Sequence, residues 1–80
     1  MFLGWYDPDK KRPAVEKLAE AVERYVEKFG SEPMVCLTSA ADAAELSGAT
    51  KMPVRAVSFI SRYTFYVGVE DEPEELALAA

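Results

Sequence analysis

The chain has 80 residues, of which 50% are hydrophobic and 29% charged, with a formal net charge of -5. That length fits one small domain burying roughly 60% of its unfolded surface, and excludes a solenoid or two independent cores. The composition can build a core, which excludes low-complexity disorder, and the acidic balance argues against a generally cationic nucleic-acid-binding surface.

Histidine is absent and cysteine occurs once, as Cys36. Catalytic triads that use histidine, His-ligated zinc and an intramolecular disulfide are therefore ruled out. A small chain without disulfide staples fits a reducing cytoplasm. No apolar run reaches the ~18 residues of a transmembrane span. Residues 1–13 lack the charge-then-apolar order of a signal peptide.

Residues 1–12 read as a short strand or an arm, apolar and aromatic through Trp5 and Tyr6 and broken by the turn Asp7-Pro8-Asp9. An amphipathic helix follows over 13–29. Val15, Leu18, Ala19, Val22, Tyr25, Val26 and Phe29 form its apolar stripe, and Glu16, Lys17, Glu20 and Glu23 fall on the solvent side. Pro13 suits the first turn and Gly30 the left-handed position past the end.

Met34 to Leu37 reads as a buried strand, with Cys36 inside it as a small hydrophobe. Ser39 to Leu46 reads as a short helix capped by Ser39. Asp42 stands where a capping box prefers Glu, and with Glu45 it is expected on a solvated face. Val54–Ile60 and Tyr63–Val69 read as two strands of an antiparallel hairpin, although Ser61-Arg62 is poor chemistry for a two-residue turn. Residues 71–80 are expected to be an acidic flexible tail beyond a single domain over 1–70. The fold class is α+β: a small two-layer sandwich, with two helices on one face of a three- or four-stranded mixed sheet, in the order (β)-α-β-α-β-β.

In such a sandwich one sheet face lacks a helical layer. Strand alternation places Tyr66 there, with Val57 and Phe59 beside it. Trp5 and Tyr6 form an arm that either covers this patch or extends it. The expected function is a protein-interaction module, non-enzymatic, that self-associates as a homodimer or takes a protein partner. The alternative is a nucleic-acid accessory protein using Lys10, Lys11 and Arg12 with Arg55 and Arg62. The run Arg62 to Val69 resembles the aromatic strand signature of RNA-recognition motifs, but it lacks that signature's second-position Gly and the βαββαβ order. No cofactor or metal motif is present: the acidic run from Glu70 lacks calcium-loop spacing. The ending Ala77-Leu78-Ala79-Ala80 resembles that of the bacterial transfer-messenger RNA degradation tag. That resemblance implies a C-terminal signal read by AAA+ proteases.

Overall fold

Helix α1 spans Ala14–Phe29 and begins after Pro13, whose side chain caps nothing. The structure, a computed structural model, describes residues 1–70. The expected acidic tail and its Ala77–Ala80 ending lie outside the described residues. With no cap of its own, α1 takes an acceptor from elsewhere in the chain: the Ala14 N–H donates to Glu45 Oε2 at 2.7 Å. At the other end Gly30 adopts φ 80° and donates its N–H to Val26 O, the left-handed closure its sequence position predicts.

The buried stripe of α1 is Ala14, Lys17, Leu18, Ala21 and Tyr25. This corrects the stripe read from periodicity, which is rotated toward Val15 and Ala19; both of these are exposed. Lys17, expected in solvent, is 1% exposed. Burial is tolerable because its ammonium donates to Asp7 O at 2.8 Å and lies 4.0 Å from the Tyr63 ring centroid. Ala14 and Ala21, its neighbours on the buried stripe, are small.

The strands are β1 (Phe2–Tyr6), β2 (Val35–Thr38), β3 (Val54–Ala56) and β4 (Thr64–Gly68), and α2 (Ala40–Leu46) lies between β2 and β3. They form one mixed sheet in the order β1-β4-β2-β3. β4 is antiparallel to both β1 and β2, whereas β3 is parallel to β2. Two helices on a four-stranded mixed sheet is the architecture expected from the sequence. The N-terminal segment is a strand, not an arm. It enters at the edge beside β4, in the register Gly4 opposite Tyr66.

The hairpin is a correction. β3 and β4 flank β2 on opposite sides and do not pair with each other. β3 stops at Ala56, and Val57 to Tyr63 forms turns, closed by Ile60 N–H to Val57 O and Thr64 N–H to Ser61 O. Ser61-Arg62 cannot make the tight turn that adjacent strands need, so the chain crosses the end of β2 instead.

The core lies between helices and sheet. Phe65 and Val67 of β4 and Cys36 of β2 pack with Leu18, Ala21, Tyr25 and Leu46. Leu3 and Trp5 of β1 pack at its margin. Gly68 is a steric requirement: a Cβ there would lie 2.1 Å from Met1 O. Only glycine lets β1 come this close to β4.

Candidate functional site

The sheet face away from the helices carries the residues that alternation turns outward. Tyr66 stands at its centre, opposite Gly4 on β1 and Leu37 on β2. The Tyr66 ring lies over Gly4, so that a Cβ there would be 2.8 Å from Tyr66 Cε1. The crossing segment brings Val57, Phe59 and Ile60 onto the same face. Together with Phe2, Leu37 and Tyr66 they line a groove of about 420 Å³. Phe59 is 86% exposed and Tyr66 39%. The ring and the groove beside it form one contiguous exposed apolar patch.

Sequence reasoning placed Val57, Phe59 and Tyr66 together, and they are together. The stated reason was wrong for two of them. Val57 and Phe59 reach the face from a loop, held by the Val57 N–H donating to Thr38 O at 2.8 Å. Tyr6 is exposed on β1 and shares the open face by alternation with Phe2 and Gly4. Trp5 is on the other side. It packs against the core, with the Arg24 guanidinium 5.5 Å from its ring. It neither covers the groove nor extends it. Its Nε1 is buried with no hydrogen-bond partner among the described residues. Phe2, Leu37 and Ile60 were missed. Phe2 and Leu37 share the parity of Tyr66 across their strands and were legible once the strand order was known.

The crossing segment is held by a polar clamp. Asp42 is 1% exposed, which corrects its expected place on a solvated face. It accepts from Ser39 Oγ at 2.7 Å, Tyr63 N–H at 2.7 Å and Arg62 Nε at 2.9 Å. Burial pushes its carboxyl up, but these three donors outweigh burial and hold it below the usual Asp range. Arg62 continues to Glu45 at 3.3 Å. Tyr63 adopts φ 67°, a left-handed conformation that costs a non-glycine residue about 1 kcal/mol. The Asp42 carboxylate fixes its N–H, and Lys17 and Arg62 lie against its ring at 4.0 and 4.7 Å. Ser39 is thus both the α2 cap, accepting from the Asp42 N–H, and a donor to the clamp. Asp42 is too short to close a capping box, so its carboxylate turns to the loop instead.

The five cations of the nucleic-acid alternative do not converge. Arg12 pairs with Asp7 at 3.0 Å and Glu20 at 2.8 Å. Arg55 pairs with Glu70 through its two terminal guanidinium nitrogens, one bond at 2.7 Å. Arg62 belongs to the clamp. Lys10 and Lys11 are exposed at the turn before α1. Among the described residues, no three His, Cys, Asp or Glu side chains converge as a metal site, and no helix is long and apolar enough to cross a membrane. Cys36 is fully buried. Burial and the nearby Asp42 charge push its thiol up to about 12, which makes it a poor nucleophile. The chain matches no family model, no curated protein and no solved structure.

Proposed function

We propose that this protein is a non-enzymatic interaction module that self-associates through its open sheet face. The observation that carries this reading is Phe59, 86% exposed beside the groove formed with Val57 and Tyr66. Burying a phenylalanine is worth about 2 kcal/mol, and a two-fold contact counts each such ring twice. The face is suited to sheet-on-sheet packing, which brings two such layers to roughly 10 Å. The clamp behind Phe59 anchors the loop that presents it. A preorganised surface loses less entropy on docking than a mobile one. A cytoplasmic setting fits the lone, buried Cys36. The nucleic-acid alternative gains no support, because Arg12, Arg55 and Arg62 are each engaged by carboxylates.

Sedimentation equilibrium of the wild type, Phe59→Asp and Tyr66→Asp tests this reading. The wild type is expected to associate, and both variants to lose that association while keeping the wild-type circular dichroism. Variants that associate like the wild type overturn it. So does a Tyr66→Asp chain that unfolds, which would assign Tyr66 to the core.

A further inference from the structure

The two edges of the sheet differ in how they end. β3 is three residues long, carries Arg55 at its centre and follows Pro53. Shortness, charge and proline are the usual means of blunting an edge. β1 is five residues, Phe-Leu-Gly-Trp-Tyr, with no charge and no proline. Its hydrogen bonds to β4 can be phased. The Val69 N–H donates to Met1 O and the Asp7 N–H to Tyr63 O, both at 3.1 Å. Antiparallel ladders alternate, so Leu3 and Trp5 also face β4, while the N–H and C=O groups of Phe2, Gly4 and Tyr6 point away from the sheet.

We propose that this edge is a second docking surface, distinct from the open face, and that its occupant is β1 of a second copy paired antiparallel about Gly4. In that register Phe2 lies opposite the partner's Tyr6, Gly4 opposite the partner's Gly4, and Tyr6 opposite the partner's Phe2. The three outward-pointing residues meet the three outward-pointing residues of the other copy as hydrogen-bonded pairs, which gives about six backbone bonds. Each end gains an aromatic cross-strand pair, a favoured combination. The glycines on the axis leave no gap, because the Tyr66 ring of each copy already covers its own Gly4. No like charges face each other in the paired strands despite the net charge of -5. Leu3 and Trp5, only partly buried at the core margin, would also pair across the axis on the helix side. The axis stands perpendicular to the sheet, so both open faces point the same way in a continuous eight-stranded sheet. With both surfaces in use, the chain assembles as a tetramer.

The test combines one edge variant with one face variant. Tyr6→Pro removes an outward N–H and leaves the ladder to β4 intact, a position where proline is tolerated. The wild type should sediment as a tetramer, Tyr6→Pro and Phe59→Asp each as a dimer, and the double variant as a monomer. A wild-type dimer that only Tyr6→Pro dissociates keeps the edge and removes the face. A wild-type dimer that only Phe59→Asp dissociates overturns the edge, and a monomeric wild type overturns both. Amide exchange in the unaltered chain decides the question if Tyr6→Pro fails to fold. The Gly4 and Tyr6 amides should slow by about tenfold or more as concentration rises through the association range. Exchange at those two amides that stays fast while Leu3 and Trp5 are protected overturns the proposal.

Discussion

Two of the arginine–carboxylate bridges, Arg62 to Asp42 and Arg55 to Glu70, are built differently. On the helix side Arg62 reaches Asp42, which is buried and also holds the Ser39 hydroxyl and the Tyr63 N–H. At the other end of the sheet Arg55 grips Glu70, with both partners in solvent. The first bridge fixes a loop, and a buried carboxylate with three donors is an integral part of the fold. The second closes on itself and leaves the loop alone. The same contrast holds for aromatic rings. Phe65 points into the core and is fully buried, while Phe59, on the loop that leads into the same strand, is almost bare. Burial of polar groups on one side and exposure of apolar groups on the other is the reverse of what composition alone suggests. It sets a hydrogen-bonded polar anchor behind the sheet and an exposed apolar surface in front of it.

The sharpest way to break this comparison is to truncate both rings. Phe65→Ala should cost about 4 kcal/mol of unfolding free energy, since it opens a cavity in a packed core. Phe59→Ala should change the stability of the dilute monomer by less than about 0.5 kcal/mol. Urea denaturation at low protein concentration reads both. If the two costs are comparable, the loop is part of the core and the open face is not a docking surface.

Asp42 comes next. Asp42→Ala leaves the Tyr63 N–H and the Ser39 hydroxyl without their acceptor and should cost about 3 kcal/mol. The pH dependence follows from the same donors. Asp42 is held below its ordinary value, so the folded state binds its proton more weakly than the unfolded state does. Its contribution is complete above the ordinary Asp value of about 3.9. It is lost as pH falls below that value and through the lowered one. Acid titration of the wild type should therefore lose stability on that limb, and Asp42→Asn should flatten it.

Most of the architecture was legible in the sequence, and the exceptions share a cause. α1, its Gly30 closure, β2 with Cys36 and the Ser39 cap follow from local patterns that burial reinforces. The hairpin was misread because Val54–Ile60 has strand composition, yet pairing is decided by the turn, and Ser61-Arg62 could not supply one. Lys17 and Asp42 depart from the expected solvent side because polarity alone does not imply exposure. Their partners, Asp7 O, Tyr63 and Arg62, lie 10 to 46 residues away in sequence, beyond the reach of any local pattern. In the groove, Tyr66 was readable from strand parity. Phe2 and Leu37 needed the strand order β1-β4-β2, which no local pattern encodes.

Cys36 probes the helix side without mutation. Its thiol is fully buried and its pKa is pushed up to about 12. Alkylation by iodoacetamide at pH 8 should therefore proceed only through opening of the fold, more slowly than in the urea-unfolded chain by about three orders of magnitude or more. Asp42→Ala should speed it, because loosening the clamp raises the open population. Phe59→Asp should leave it unchanged. Labelling as fast as that of the unfolded chain would show that the helix side is not closed.

The smallest expected effect concerns the solvent-exposed bridge. The mutual hydrogen bonds raise the Arg55 pKa and lower that of Glu70, and burial opposes the shift at each partner without reversing it. Both side chains remain about half exposed, where salt and water compete for the same contacts. Arg55→Gln should leave the melting temperature unchanged within error in 0.5 M salt, and Glu70→Gln should do the same. Arg62→Gln, which withdraws a donor from a buried carboxylate, should lower it under identical conditions. The two substitutions remove the same chemical group from the same kind of bridge. A difference between them isolates what the burial of Asp42 adds. Equal losses would mean that the clamp owes its strength to the guanidinium alone, and that the loop carrying Phe59 is held no more firmly than the β3 edge.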